Sequence, residues 1–398
     1  MRRLYSLLGV LFWVAGSVQA RQNDSTFTIP MDYDRYLYLH VVLADSVTGR
    51  FLFDLGAQTT LLNSGWVARH GLRFERTQTA TLLGSGNRRV KAVYTPDTLA
   101  FRAGGYRYAS SPNVVASLGE RMPGVDGLLG ATLFQDRIFR IDYGAGNLAV
   151  LPQEAIDTLV EERYERIPFT VDGRNYIVFP LTVVLDSTRQ RMVSGSVYVD
   201  TGNPGFLSLH AAGRQARRWR RMTHGKRYAL QIPELGVGGG GRVGVMRTEA
   251  LRIGRVELPV GEVVVQEESL AADPRQIGAV GNGWLSRFGQ VIFDMRTRTI
   301  YLPRIAPDSV ASVPVCYAGF RLSRVDRWFV NGISHRTAEL RNGDIVLRID
   351  GRPIDTLSES ERNGYFCTPD RRYTLTVLRD GATREVSVIN LNDKTLWH

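Results

Sequence analysis

Phe51-Leu52-Phe53-Asp54-Leu55-Gly56-Ala57 and Val197-Tyr198-Val199-Asp200-Thr201-Gly202-Asn203 are two copies of one pattern: an apolar run, an aspartate, and a glycine two residues further on. A strand that delivers a carboxylate into a tight glycine turn, written twice in one chain, can bring two acids face to face. Close like charges cannot both ionise cheaply, so such a pair shares one proton and can activate water.

The surroundings of the two aspartates repeat as well. Val41-Val42-Leu43-Ala44-Asp45 precedes the first and Val183-Val184-Leu185-Asp186-Ser187 the second, each reading as a hairpin that leads into the acid-bearing strand. A glycine-rich turn follows 30 residues after Asp54, at Gly84-Ser85-Gly86-Asn87, and 36 after Asp200, at Gly236-Val237-Gly238-Gly239-Gly240-Gly241. Next come Asp126-Gly127-Leu128-Leu129-Gly130 and Ile277-Gly278-Ala279-Val280-Gly281. Each leads to a strand with an aspartate and a short hairpin, Phe139-Arg140-Ile141-Asp142-Tyr143 and Val291-Ile292-Phe293-Asp294-Met295. The order and near-equal spacing imply two homologous β-rich lobes over about residues 35–151 and 176–302. Alternating apolar residues, short runs rich in Val, Ile, Tyr and Phe, and recurrent glycine turns predict an all-β class. Helical pattern is confined to pieces such as Ser64 to His70 and Ala211 to Arg221.

Acid turn, glycine-rich turn and apolar-apolar-glycine, in that order and twice, resemble the retropepsin-like and pepsin-like aspartic peptidases. The resemblance covers most of residues 35–302. It implies a bilobal acid-protease fold in which Asp54 and Asp200 are the catalytic dyad and Gly56, Thr201 and Gly202 shape the active-site turns. It also implies that Gly127 to Gly130 and Gly278 to Gly281 brace the acid loops through a close approach that glycine permits. Gly84, Gly86, Gly236 and Gly238 would mark flap tips over an extended peptide; an ordinary hairpin turn is the alternative at both places. Leu55 departs from the family, where a Thr or Ser hydroxyl at this place bonds to the partner turn. Thr201 keeps its hydroxyl, so the expected network is lopsided, and a catalytically inactive peptide-binding protein is the second reading.

Other chemistries find less support. The run Gly236 to Gly241 satisfies a dinucleotide-type glycine pattern, but a strand-like segment follows where a helix is required. The six histidines form no H-E-x-x-H, and no serine sits in a G-x-S-x-G elbow. Neither metal nor cofactor is expected. Asp142 and Asp294 read as hairpin caps.

Prolines at 303, 307 and 314 punctuate a linker. Beyond it, Tyr317-Ala318-Gly319-Phe320-Arg321-Leu322 and Ala338-Glu339-Leu340-Arg341-Asn342-Gly343-Asp344-Ile345-Val346-Leu347-Arg348-Ile349-Asp350-Gly351-Arg352-Pro353-Ile354 resemble a PDZ domain. That resemblance implies that Ala318, Gly319 and Phe320 form a loop for a peptide carboxylate, and that a peptide ligand adds as a strand. Arg321 stands where the family has a second glycine. A PDZ-like fold that only packs against the lobes is the alternative.

The chain has 398 residues, 43% hydrophobic and 22% charged, enough for several domains and without a signature of disorder. Arg2 and Arg3, the apolar stretch Leu7 to Val14 and Ser17-Val18-Gln19-Ala20 read as a secretory signal, too short to span a bilayer. The expected divisions are residues 1–20 as signal, 21–160 and 161–305 as the two lobes, and 314–392 as the PDZ-like domain. Export would place the protein in the periplasm, at the cell surface or outside the cell. Cys316 and Cys367 could form a disulfide there or remain thiols. The net charge of +11 is densest around Arg214, Arg217, Arg218, Arg220 and Arg221, read as a solvated basic face or a patch for acidic partners. Polypeptide substrates are expected as partners; nucleic acid and a membrane-spanning segment in the mature chain are not.

Overall fold

The structure is a computed structural model that describes residues 26–83, 89–118, 122, 124–157, 163–188, 190–210, 227–232, 241–259, 262–266, 276–304, 316–324, 327–334 and 339–392. The flap candidates Gly84, Gly86, Gly236 and Gly238, the residues 1–20, the arginine cluster and residues 305–315 of the linker lie outside them.

The chain is all-β, and the lobes repeat strand for strand. Tyr36–Leu43 and Val47–Phe53 form the first hairpin, Ile177–Asp186 and Arg191–Val199 its counterpart. Ala44 and Asp45 both take positive φ, 49° and 60°, as the central residues of the turn that Ser46 N closes on Leu43 O at 3.2 Å. The acid strand then pairs in parallel with the brace strand: Phe51 to Phe53 with Gly127 to Leu129, and Val197 to Val199 with Gly278 to Val280. Each brace strand pairs antiparallel, on its other side, with the strand that follows the acid turn, Thr60–Asn63 or Leu207–His210. Phe51, Leu52 and Phe53 are all buried, because this strand is covered on both faces.

The lobes meet in a shared antiparallel sheet. It runs Tyr164–Pro168, Thr299–Pro303, Gln290–Asp294, Ile138–Asp142, Asn147–Leu151 and Phe27–Asp34. Arg140 opposite Ile292 is the middle pair of its central ladder. Beneath it Phe139 and Phe293 stack with centroids 4.9 Å apart. One hydrophobic core therefore runs through both lobes. As expected from the sequence, Asp142 and Asp294 cap hairpins: Asp142 accepts from the Ala145 N–H at 2.9 Å, and Asp294 from those of Arg296 and Thr297 at 2.9 and 3.1 Å.

The C-terminal strands Phe320–Arg324, Trp328–Ile333, Ile345–Ile349, Arg372–Arg379 and Ala382–Ile389, with the helix Glu359–Phe366, enclose a separate core. Ser358 and Glu361 close a capping box on that helix. Arg379 grips the buried Asp344 with two bonds of 2.6 Å. The module touches both lobes. Ile333 pairs with Gln231 of the second lobe, while the Arg35 guanidinium donates to the Leu322 carbonyl at 3.4 Å. No disulfide joins Cys316 and Cys367 in this structure, so the thiol alternative holds. Each thiol instead donates to its own neighbourhood, Phe320 O at 3.7 Å and Asn363 Oδ1 at 4.0 Å.

Candidate active site

The repeated pairing brings Asp54 and Asp200 together at the lobe junction. The brace strands fix each acid by its backbone: Asp54 N donates to Leu129 O and Asp200 N to Val280 O, both at 2.9 Å. The turns then close, Ala57 N to Asp54 O at 3.0 Å and Asn203 N to Asp200 O at 3.1 Å. Brace glycines sit where nothing larger fits. A Cβ on Gly130 would stand 2.6 Å from Thr59 O, and one on Gly281 would stand 2.4 Å from Asn203 O.

The two carboxyls are side-chain hydrogen-bond partners. Gly56 and Gly202 form a reciprocal cradle around them. A Cβ on Gly56 would lie 2.6 Å from Asp200 Oδ1, and one on Gly202 2.6 Å from Asp54 Cγ. Asp54 Oδ1 accepts from the Gly56 N–H at 2.8 Å and, across the junction, from the Gly202 N–H at 3.0 Å.

Removal from water raises both carboxyls above the ordinary aspartate range. For Asp54 the N–H groups of Gly56, Gly202 and Ala57 favour the ionised form and counter part of the rise. Asp200 is pushed well above the range, since the Asp54 charge adds to its burial. The pair therefore holds one proton in common, the arrangement that leaves one carboxylate able to accept a proton and one carboxyl able to donate.

The lopsided network expected around Leu55 is present. Thr201 is fully buried; its Oγ1 donates to Phe53 O and accepts from Leu55 N, both at 2.8 Å. Leu55 makes no reciprocal bond through its side chain, which is buried in the shared core.

Sequence reasoning missed the wall beside the dyad. Tyr176 and Tyr198 stack with centroids 4.7 Å apart, and the Tyr176 hydroxyl bonds the Gln58 side chain of the opposite lobe. Burial raises both phenols, and the charge of Asp200 adds to it. His210 lies 5.8 Å from the Tyr198 ring, and burial together with Arg174 lowers it to about 4, so it is neutral near pH 7. Also missed was Asn282, next to the second brace glycine, whose Nδ2 donates to Thr201 O at 2.6 Å. The only signal available in sequence was that Ala131 occupies the matching place.

In the C-terminal module Ala318 and Phe320 are buried, and Gly319 takes φ +70° with its carbonyl accepting from Ser334 N at 2.7 Å. Among the described residues no group of three or more His, Cys, Asp or Glu could hold a metal ion, and no helix is long and apolar enough to cross a membrane.

No curated protein matches the chain. Similar solved structures include basic 7S globulin from soybean, 11% identical over 71% of this chain and 96% of that one, with a TM-score of 0.39. Conglutin gamma, a basic 7S globulin from lupine seeds, is 12% identical over 71% and 96%, with a TM-score of 0.41. A retropepsin-like aspartic protease from Rickettsia conorii is 22% identical over 32% of this chain and 89% of that one, with a TM-score of 0.25. The aspartyl protease family matches residues 40–133 and the PDZ domain family residues 329–389. The chain thus joins a segment that matches the aspartyl protease family and contains Asp54 to a C-terminal segment that matches the PDZ domain family.

Proposed function

We propose that this protein is an exported aspartic endopeptidase whose PDZ domain recruits peptide segments of its substrates. The observation that carries the reading is the shared site of Asp54 and Asp200, each held by a brace strand and each cradled by the other turn's glycine. In this reading Asp54, favoured as the carboxylate by three N–H donors, takes a proton from a water held between the acids. Asp200, which retains its proton, donates to the oxygen of the scissile carbonyl as the hydroxyl adds to its carbon. Collapse of the tetrahedral species then expels the amine, which takes the proton that Asp54 removed from water, while Asp200 regains a proton from a hydroxyl of the tetrahedral carbon as the new carboxyl forms, so the pair again shares one proton. No covalent enzyme intermediate forms. Tyr176, Tyr198 and Gln58 would flank the peptide. The basic start, apolar stretch and small-residue exit of residues 1–20 support export to the periplasm, the cell surface or the medium.

Leu55 favours a second reading, a peptide-binding protein that keeps the architecture without turnover. The two separate in one assay. Residues 21–398 are incubated with a diverse peptide mixture from acidic to neutral pH, beside Asp54→Asn and Asp200→Asn. Cutting by the wild type that both variants lose supports the peptidase; a folded wild type that cuts nothing at any pH supports the binding protein.

A further inference from the structure

The departures from two-fold symmetry near the dyad converge on one turn. Thr201 locks the Asp54 turn through Phe53 O and Leu55 N. By the repeat, a hydroxyl at position 55 would lock the Asp200 turn in return, and Leu55 has none. At the residue after the brace glycine the lobes differ again: Ala131 in the first, Asn282 in the second. Both use their backbone N–H alike, Ala131 to Ala57 O at 3.0 Å and Asn282 to Asn203 O at 2.8 Å. Only Asn282 has a side chain that can reach further.

That side chain is fully buried and fully used. Its Nδ2 donates to Thr201 O at 2.6 Å and to Arg35 O at 3.1 Å, while Oδ1 accepts from the Tyr143 hydroxyl at 3.0 Å. Two carbonyls facing the nitrogen and one hydroxyl facing the oxygen fit a single orientation of the amide. Arg35 and Tyr143 belong to the first lobe, so Asn282 carries a hold from that lobe to the Asp200 turn, as the missing hydroxyl would have done.

The carbonyl it grips matters chemically. Thr201 C=O and Gly202 N–H belong to one planar peptide unit and point in opposite directions. Asn282 bonds one end; the other donates to Asp54 Oδ1 at 3.0 Å. Fixing the carbonyl aims the N–H, and polarising it strengthens the bond to the carboxylate.

We propose that Asn282 is a positioning residue of the dyad, replacing the hydroxyl that position 55 lacks and acting through the Thr201–Gly202 peptide on the Asp54 carboxylate. The role of the dyad in peptide hydrolysis rests on the proposed function; the effect on its titration does not.

The test is the carbon-13 carboxyl titration of Asp54 and Asp200, by NMR, in wild type and Asn282→Ala. Losing the aim of Gly202 N–H disfavours the ionised form, so the lower apparent pKa of the pair rises by roughly one pH unit, tenfold in the protonation equilibrium. In a chain that turns over, kcat falls about tenfold with little change in KM, and the acid limb of the rate profile moves up. A folded Asn282→Ala with an unchanged titration overturns the proposal. Should that variant not fold, Tyr143→Phe removes only the hydroxyl that orients the amide. A smaller upward shift there supports the proposal, and no shift overturns it. Neither reading needs turnover, so a wild type that cuts nothing defeats the peptidase and leaves this inference still decided.

Discussion

Thr201→Val removes one oxygen and nearly conserves volume, which makes it the sharpest probe of the lobe junction. The lost hydroxyl serves two buried backbone groups at once, Phe53 O and Leu55 N, each at 2.8 Å. Neither can turn to water, because Phe53, Leu55 and Thr201 are all buried. A buried polar group stripped of its partner costs about 1–3 kcal/mol, so the pair amounts to roughly 2–6 kcal/mol. The lobes share one core, so the loss is read in the urea unfolding of the full chain. Thr60→Val is the control. Thr60 is equally buried, and its hydroxyl oxygen accepts from the Ser110 hydroxyl at 2.9 Å, away from the acids. It costs about 1–3 kcal/mol by the same rule and leaves peptide cleavage unchanged. Thr201→Val should instead lose both stability and cleavage. A loss below about 1 kcal/mol would refute the reasoning, since two buried groups would then be unpaired at almost no cost. So would a rate equal to that of Thr60→Val.

Three further outcomes are expected. Gly202→Ala puts a methyl 2.6 Å from Asp54 Cγ, so cleavage should fall at least a hundredfold while circular dichroism stays native; near-wild-type cutting would mean that the turn gives way easily. Burial holds the Asp200 carboxyl above its usual 3.8, and an acid raised in the folded state gives up stability as pH rises from the usual range through the folded value. Urea-unfolding free energy should therefore decline from about pH 4 upward in wild type and decline less in Asp200→Asn, with equal slopes contradicting the assignment. Burial alone would raise Asp344, but the Arg379 guanidinium outweighs it and lowers the carboxyl. That contribution is present above the usual carboxylate range and is lost as pH falls through the folded value, so the protection factors against hydrogen exchange along Ile345–Ile349 should fall in acid, and Asp344→Asn should weaken that dependence.

Much of this was legible before any coordinates. Apolar alternation and glycine spacing have the periods of strands and turns, so the duplicated lobes, the acid turns and the braces could be read along the chain. Asp142 and Asp294 were readable as caps for the same reason, since an aspartate before a tight turn bonds the N–H groups that follow it. Contacts set by register rather than by period were not legible. Tyr198 sits two residues before Asp200 and looked like one more apolar strand position; its stacking on Tyr176 depends on how two strands align. Cys316 and Cys367 offered only a count and a separation, and the backbone places each thiol near a different acceptor. The flap candidates and residues 1–20 lie outside the described residues, so their readings rest on sequence.

The lobes are copies, and a dyad in two-fold surroundings can hold its one shared proton on either acid. A perfect two-fold would give both carboxyls the same surroundings and leave nothing to decide which one is ionised. Here the symmetry is broken where it can decide. Position 55 is Leu against Thr201, and the residue after the brace glycine is Ala131 against Asn282. The first difference removes a lock on the Asp200 turn; the second supplies a hold on the same turn through the Thr201 carbonyl. The peptide so held presents its N–H to Asp54, adding a donor from the partner turn to those of Asp54's own turn. Burial raises both carboxyls, and Asp54 Oδ1 receives one N–H from each turn, so the two acids no longer stand in equivalent surroundings. Leu55, which in isolation argues against catalysis, then belongs with Asn282 to one asymmetric arrangement. Leu55→Thr should accordingly restore cleavage to Asn282→Ala more than it raises that of the wild type, because only the variant lacks both holds. Equal effects of Leu55→Thr in the two backgrounds would show that the two positions act independently.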